Sequence, residues 1–190
     1  LTNDSTPTIT GTTEAGATVE VTINGVALAG VVVDGTGWSV TATDLLADDF
    51  YVVRATATDA AGNISNSDQL LEVDTTPPVV AITSSDLTND STPAITGTTE
   101  AGATIEVTID AVVLAGVVEG TDWSVTATNE LVDGDAYVVS ATATDAAGNT
   151  ATATQTLTVD TTVPVVAITS SALTNDSTPA ITGTTEAGAT

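Results

Sequence analysis

Short runs of alternating apolar and polar residues, separated by Gly, Asp and Asn, dominate the chain. In Thr104–Ile109 every second side chain is apolar, as expected of a strand with one buried face. Seven short segments, most of them alternating in this way, follow one another between residues 79 and 159, and none has a helical period. The runs, named A to G, are Val79–Thr83, Thr92–Thr98, Thr104–Ile109, Val112–Val118, Trp123–Thr128, Tyr137–Thr144 and Ala151–Val159. The pattern predicts an all-β chain of seven-stranded Greek-key β-sandwiches.

A six-residue motif follows two of the alternating runs. Residues 58–63 and 144–149 both read Thr-Asp-Ala-Ala-Gly-Asn. Gly supplies a positive φ angle, and Asp and Asn bond to the local backbone. The motif predicts a tight turn between strands F and G.

The whole pattern recurs along the chain. Leu-Thr-Asn-Asp-Ser-Thr-Pro begins at Leu1, Leu87 and Leu173, an interval of 86 residues each time. This period is the size of a small β-sandwich and exceeds the roughly 20–50 residues of a solenoid repeat. The chain is therefore expected to be a tandem array of domains.

The best candidate linkers are the Pro-containing segments Val73–Pro78 and Val159–Pro164, because Pro removes a backbone donor and ends strand pairing. They predict a first domain at residues 1–74 that lacks its first strand, a complete domain at 75–160, and the opening strands of a third at 161–190. The first domain would then have an unpaired sheet edge, and the strands of the third would lack the rest of their sandwich. Strand exchange between chains is therefore also expected.

The aromatic residues have mainly structural interpretations. Trp38 and Trp123 alternate in phase with neighbouring Val residues, so each is expected to fill an otherwise small-residue core. A sugar-binding Trp is the alternative. Tyr137, and Tyr51 in the same frame, resemble the tyrosine corner of immunoglobulin-like folds.

Composition narrows the possible partners. The 190 residues include 25 acidic and one basic side chain, for a net charge of −24. This balance argues against nucleic acid and anionic membrane as partners and favours divalent cations, with simple solubility as the alternative. His and Cys are absent, which argues against zinc, disulfides and a nucleophilic Cys. We expect no enzyme.

Strand directions bring carboxylates together at one end of each domain. Strand A enters at the same pole as the BC, DE and FG turns, so Asp74, Glu100 and Asp145 are expected to meet there as ligands of a cation. Calcium takes 6–8 oxygen ligands and tolerates irregular geometry, unlike magnesium. The equivalent candidate ligands are Asp160 and Glu186 at the next joint, and Glu14 and Asp59 in the first domain. A solvated acidic pole without metal is the alternative.

Acidic residues at the opposite pole are expected to be ordinary turn residues, with a second cation site as the alternative. They are Asp4, Asp48, Asp49, Asp90, Asp133 and Asp135.

Five recurring motifs, taken together, cover nearly the whole chain. They are Ser-Thr-Pro-x-Ile-Thr-Gly-Thr-Thr-Glu-Ala-Gly-Ala, Trp-Ser-Val-Thr-Ala-Thr, Tyr-Val-Val, Thr-Asp-Ala-Ala-Gly-Asn and Val-Asp-Thr-Thr. The combination resembles the bacterial immunoglobulin-like extender repeats of giant type I-secreted (RTX) adhesins. The resemblance implies an extracellular location on the bacterial surface, long tandem arrays and calcium at the domain joints.

The function expected from residues and resemblance together is a calcium-stiffened spacer that projects a distal adhesive domain. Its partners would be neighbouring repeats of the same chain and calcium ions. The alternative is an adhesion module that binds a glycan or a protein.

Overall fold

The chain is built from β-strands throughout residues 1–115 and 117–188, the part that the computed structural model describes. The predicted all-β class is confirmed. Those same residues include no long apolar helix of the kind that crosses a membrane.

The first sandwich comprises β1 to β7. Its three-stranded sheet has the order β1-β5-β4, and its four-stranded sheet has the order β3-β2-β6-β7. The strands are β1 (Thr8–Thr12), β2 (Thr18–Ile23), β3 (Val26–Ala27), β4 (Val32–Asp34), β5 (Gly37–Thr41), β6 (Asp49–Thr58) and β7 (Ile64–Val73).

The second sandwich comprises β8 to β16. Its sheets have the orders β13-β14-β10-β8 and β12-β11-β15-β16-β9. The predicted strands A, B, C, E, F and G are confirmed, each within two residues at either end. The strands are β8 (Val80–Ile82), β9 (Leu87–Thr88), β10 (Ala94–Thr99), β11 (Thr104–Ile109), β12 (Val112–Ala115), β13 (Val117–Glu119), β14 (Asp122–Thr126), β15 (Ala136–Thr144) and β16 (Thr150–Val159).

The prediction of one continuous strand D at Val112–Val118 is wrong. Its first part, β12, pairs with β11, and its last part, β13, pairs with β14 in the other sheet. The predicted strand runs through Gly116, which lies outside the described residues. The segment is almost wholly apolar, so it carries no alternation that could indicate which sheet each residue joins.

Strand β9 has no counterpart among the predicted strands. It pairs in parallel with the end of β16, and an isolated bridge between Thr2 and Val73 takes its place in the first sandwich. Two residues are too few to produce a readable pattern.

The core lies between the two sheets of each sandwich. Trp123 is 2 % exposed, and its Nε1 donates to the Thr98 carbonyl at 3.1 Å. Trp38 is only half-buried, because the first sandwich has no described strand in the position of β8. The expected core role therefore holds fully for Trp123 and partly for Trp38.

The tyrosine corners have the expected geometry. The Tyr51 hydroxyl donates to the Ala47 carbonyl at 2.9 Å, and the Val132 N–H donates to the Tyr137 hydroxyl at 2.6 Å. Each hydroxyl fixes the backbone upstream of its strand, at the end of the sandwich from which the chain leaves.

After the second sandwich, β17 (Val166–Ile168) pairs antiparallel with β18 (Gly183–Thr185). The pairing of Ile168 with Gly183 repeats that of Ile82 with Gly97. This strand pair therefore reproduces the β8–β10 arrangement of the second sandwich. Ala189 and Thr190, the last residues of the predicted third domain, lie outside the described residues.

Candidate joint between the two sandwiches

The linker, residues 74–79, joins β7 to β8 and is itself held by hydrogen bonds. The Asp74 N–H donates to the Thr2 carbonyl at 2.9 Å, and the Thr76 N–H donates to Asp74 Oδ1 at 3.1 Å. Pro78, which enters the second sandwich, is buried. The segment therefore has a defined conformation at both of its ends.

Asp48 of the first sandwich accepts several hydrogen bonds from the linker. Its Oδ1 accepts from the Thr75 N–H at 2.8 Å and from Thr75 Oγ1 at 2.7 Å. Its Oδ2 accepts from Thr76 Oγ1 at 2.6 Å. Hydrogen bonds from the hydroxyl of Thr76 and from Thr75 lower the pKa of Asp48 below its ordinary value, because they stabilise the charged carboxylate.

The same set of hydrogen bonds between an Asp and the linker, here called the clamp, recurs 85 residues later. Asp133 accepts from the N–H and hydroxyl of Thr161 and from the hydroxyl of Thr162. The Thr161 backbone bond is the largest cause of a lowered Asp133 pKa. The carboxylate after strand E thus fixes the outgoing linker in both copies.

The turn between β15 and β16 has the predicted tight geometry. Asp145 Oδ1 accepts from the Asn149 N–H, and its Oδ2 accepts from Asn149 Nδ2, both at 2.8 Å. Gly148 has a φ of 94°, which an L side chain rarely adopts. Burial raises the Asp145 pKa, but the hydrogen bonds from Asn149 and from the backbone N–H groups of Gly148 and Ala147 together outweigh it, and the net pKa is lowered.

Asn149 also reaches across the joint. Its Nδ2, which carries two hydrogens, donates to the Asp74 carbonyl at 2.8 Å as well as to Asp145. Within residues 1–115 and 117–188, the side chain of the equivalent Asn63 in the first sandwich donates to Asp59 alone, at 2.6 Å. Asn149 is half-buried and Asn63 is exposed. The turn motif of the second sandwich therefore also bridges to the linker.

A second contact lies beside this bridge. A Cβ built on Gly148 would lie 3.5 Å from Nδ2 of Asn3, so the first loop of the first sandwich lies against the turn of the second. Asp48 holds the linker on the first sandwich and Asn149 holds it on the second. The joint is thus restrained from both sides by direct protein contacts.

The three predicted ligands of this joint lie around the linker. Asp74 and Asp145 are connected through Asn149, and the Glu100 N–H donates to the Val79 carbonyl at 3.1 Å. However, the described residues contain no group of three acidic side chains arranged to hold a metal. Carboxylate oxygens are the ligand type that calcium prefers, so the donor chemistry fits calcium although no such cluster forms. The calcium set stays a prediction.

The remaining candidates occupy equivalent turns. Asp160 Oδ1 accepts from the Thr162 N–H at 3.1 Å, and Glu186 Oε2 accepts from the Val165 N–H at 3.4 Å. The Glu14 carbonyl accepts from the Ala17 N–H at 3.2 Å. Asp59 takes part in its own turn, where hydrogen bonds from Asn63 lower its pKa.

Sequence reasoning missed the role of Asp48 and Asp133, which it assigned to ordinary turns at the opposite pole. In a tandem array the exit pole of one domain faces the entry pole of the next, so both poles belong to one joint. The sequence did contain a signal for this role. In both repeats an Asp precedes the Tyr of the tyrosine corner, and in both the linker contains Asp-Thr-Thr.

The chain resembles known repeat modules. It matches the fibronectin(III)-like modules of Clostridium thermocellum CbhA at 15% identity and a TM-score of 0.53, over 84% of this chain and 87% of that chain; at this identity the match concerns the fold alone. No curated protein sequence matches the chain.

Two structures of bacterial adhesins also match, each with a TM-score of 0.41 over 88% of this chain. One is a 1.5-MDa bacterial ice-binding adhesin, at 27% identity. The other is a Ca²⁺-stabilised adhesin that helps an Antarctic bacterium to bind ice, at 32% identity. This chain spans 63% and 48% of their respective lengths.

The family model for the bacterial Ig-like domain matches residues 1–75 and again residues 81–161. The two matches coincide with the two sandwiches. The chain therefore belongs to the bacterial Ig-like domain family and carries two tandem Ig-like sandwiches.

Proposed function

We propose that the chain is a structural spacer of a bacterial surface adhesin, which holds a distal adhesive domain away from the cell. Two consecutive domains of the bacterial Ig-like family support this proposal. The observation that carries it is the double use of Asn149, whose side chain bonds both its own turn and the carbonyl of Asp74 in the linker. A spacer needs such a joint, because its reach depends on how freely consecutive domains hinge.

The contacts at the joint set the strength of this restraint. A neutral hydrogen bond contributes about 0.5–1.5 kcal/mol net, so the bond from Asn149 to Asp74 shifts the balance between closed and open hinges about 2- to 12-fold. Such a bond biases the hinge without making it rigid. A stiff spacer would need further stabilisation at the same joint.

We propose that calcium supplies further stabilisation of the joint and that Asp74, Glu100 and Asp145 bind it. The equivalent ligands are Asp160 and Glu186 at the next joint, and Glu14 and Asp59 in the first domain. A divalent cation would neutralise carboxylates in a chain whose net charge is −24. Glu100 is exposed, so its side chain is free to turn toward a cation. Extracellular calcium modules bind at about 10⁻⁴–10⁻³ M, so the joint would be held by protein contacts alone inside the cell and would stiffen further outside it.

The motif resemblance to RTX adhesins supports a finer proposal, that the parent protein leaves the cell by type I secretion and acts at the bacterial surface. A non-catalytic role accords with membership of the bacterial Ig-like family.

Small-angle X-ray scattering with and without a calcium chelator tests the spacer proposal. We expect an extended particle whose maximum dimension increases and whose flexibility decreases with calcium. A freely hinged particle under both conditions would contradict the spacer. Titration calorimetry tests the proposed calcium binding separately, since the heat of calcium binding should be smaller in Glu100→Gln than in the unmodified chain. If no heat of binding is detected up to about 10 mM calcium, the proposal that calcium binds at the joint is wrong.

A further inference from the structure

The outer face of the sheet formed by β3, β2, β6 and β7 differs from the same face of the second sandwich. Three neighbouring rows of cross-strand pairs carry the difference. On β6 and β7 the rows pair Phe50 with Glu72, Val52 with Leu70 and Arg54 with Asp68. On β15 and β16 the equivalent rows pair Ala136 with Thr158, Val138 with Thr156 and Ser140 with Thr154. An apolar and charged face in one copy thus corresponds to a face of mainly small and hydroxyl side chains in the other.

Packing inside the sandwich does not require this difference. The residues between the three rows point to the inner side of the sheet and are the same in both copies. They are Tyr51, Val53, Gln69 and Leu71 in the first sandwich, and Tyr137, Val139, Gln155 and Leu157 in the second. The inner side is therefore constrained alike in both copies, and these rows diverge only on the side that faces solvent.

The exposure of this face does not depend on the strands at the start of a sandwich. Phe50, Val52 and Leu70 are 55%, 49% and 63% exposed. In the second sandwich, where β8 and β9 are both present, the equivalent Val138 is 57% exposed and Thr156 is also exposed. Neither of those strands covers the outer face, so the same face meets solvent in both sandwiches.

Three apolar side chains on this face form one patch, here called the Phe50 patch and consisting of Phe50, Val52 and Leu70. Val52 and Leu70 are direct cross-strand partners, and such partners lie about 4.5–5.5 Å apart at Cβ. Phe50, the only Phe of the chain, is the next residue on the same side of β6. Neighbouring exposed apolar residues mark interaction sites, and aromatic residues and Arg are enriched in them.

The charges around the Phe50 patch are mainly negative. Arg54, the only basic side chain of the chain, lies next along β6 and donates from Nε and a terminal nitrogen to the two carboxylate oxygens of Asp68, at 2.7 and 2.8 Å. This pair is neutral overall. Glu72 stands opposite Phe50, and Glu20 is exposed on the adjacent strand β2. With Arg54 already paired, no Lys or Arg side chain is left to neutralise these two carboxylates.

We propose that the Phe50 patch binds a basic polypeptide segment, in which apolar side chains are flanked by Lys or Arg. The apolar side chains would cover Phe50 and Leu70, and the basic ones would face Glu20 and Glu72. The Arg54 guanidinium has five N–H donors and uses two of them on Asp68, so it can also donate to backbone carbonyls of the segment. The spacer would thereby carry a protein-binding site on its side.

Charge complementarity selects this occupant over a second copy of the chain. A second copy would bring a further net charge of −24 and no unpaired Lys or Arg, and like charges brought together oppose association. A basic segment is instead attracted by the field of the whole chain. The apolar patch then distinguishes a basic segment with apolar residues from one that is merely basic.

Selection of short random peptides displayed on phage, with the 190-residue chain as bait, tests the proposal. The selection is run at about 0.15 M salt, where interactions between exposed charges beyond about 8 Å are screened. We expect enriched peptides that combine basic and apolar residues. Calorimetry with the corresponding synthetic peptides should give one site per chain.

Two variants locate the site without disturbing the sandwich. Phe50→Ala combined with Leu70→Thr introduces the residues that the second sandwich carries at these positions, so the fold should be retained, and it should weaken peptide binding at least about 10-fold. Val138→Thr is the matched control. It removes the exposed apolar side chain from the equivalent face and should bind the peptides like the unmodified chain.

A transfer of the patch tests the same claim as a gain of binding. The second sandwich receives the outer residues of the first through Ala136→Phe, Ser140→Arg, Thr154→Asp, Thr156→Leu and Thr158→Glu. The stoichiometry should then rise from one peptide per chain to two.

Several outcomes would overturn the proposal. They are the absence of enriched peptides, enrichment of acidic or uncharged peptides, equal binding by the double variant and Val138→Thr, and an unchanged stoichiometry after the transfer. Association of the chain with itself that the double variant abolishes would make a second copy the occupant. The spacer function would survive each of these results, because it rests on the joint and not on this face.

Discussion

Replacing Asn149 with Ala removes two hydrogen bonds of different kinds. One, to Asp145, closes a turn within the second sandwich, and the other, to the Asp74 carbonyl, crosses the joint. Asn63→Ala removes only the equivalent turn bond, to Asp59. The difference between the two variants therefore isolates the bond across the joint.

The expected size of this difference follows from the chemistry of the bond. It joins a neutral amide to a neutral carbonyl at 2.8 Å, and both residues are half-buried. Such a bond contributes about 0.5–1.5 kcal/mol, and the value here should fall in the lower half because water can solvate the freed carbonyl. Asn149→Ala should raise the open-hinge population by about 2- to 5-fold, and Asn63→Ala should leave it unchanged.

The assay is ¹⁵N relaxation of the two sandwiches in calcium-free buffer. In the unmodified chain and in Asn63→Ala, both sandwiches should tumble largely together. In Asn149→Ala, each should approach the shorter correlation time of an independent domain. Identical relaxation in Asn149→Ala and Asn63→Ala would refute the reasoning, since the bond across the joint would then contribute nothing.

Three further predictions follow from the structure. The lowered pKa of Asp48 means that its stabilising contribution is present above the ordinary value of 3.8 and is lost as pH falls below it. The melting temperature should therefore fall on acidification, less steeply in Asp48→Asn, and equal slopes in the two proteins would contradict the proposed role of Asp48 at the linker. Gly97→Ala should destabilise the second sandwich by about 1–3 kcal/mol, and more than Gly11→Ala destabilises the first, because only Gly97 faces a carbonyl of β8; calorimetry of the two unfolding transitions decides this. Calcium at about 1–10 mM should raise the melting temperature, and Glu100→Gln should reduce that increase without changing the calcium-free value; an equal increase in both proteins would exclude Glu100 as a ligand.

Much of the fold was readable from the sequence because the strands are short and half-buried. Alternation in β11 and β15 places their apolar residues in the core, and Asp145 with Gly148 specifies the turn by local chemistry. Local signals of this kind depend on residues close in the chain, so they survive without knowledge of the tertiary structure.

The clamp at the joint was not readable in the same way. Asp48 and Thr75 are 27 residues apart, and each is an ordinary turn or linker residue on its own. Their pairing depends on which end of the sandwich the linker leaves, which is a property of the assembled sheets.

The candidate ligands illustrate the same limit. The fold places Asp74, Asp145 and the backbone of Glu100 around one linker, but topology does not determine side-chain partners. Asp145 uses both of its oxygens on Asn149, and Asp74 uses one on Thr76. Local hydrogen bonds therefore compete with a cation for the same oxygens, which a sequence pattern does not reveal.

The most direct test of the central claim, that protein contacts and calcium together hold the joint, is a distance distribution between spin labels on the two sandwiches. The chain has no Cys, so Glu20→Cys and Glu106→Cys, at exposed equivalent positions 86 residues apart, provide unique sites. We predict one dominant distance without calcium that narrows when calcium is added and broadens in Asn149→Ala. A broad distribution that neither calcium nor Asn149→Ala alters would contradict the claim.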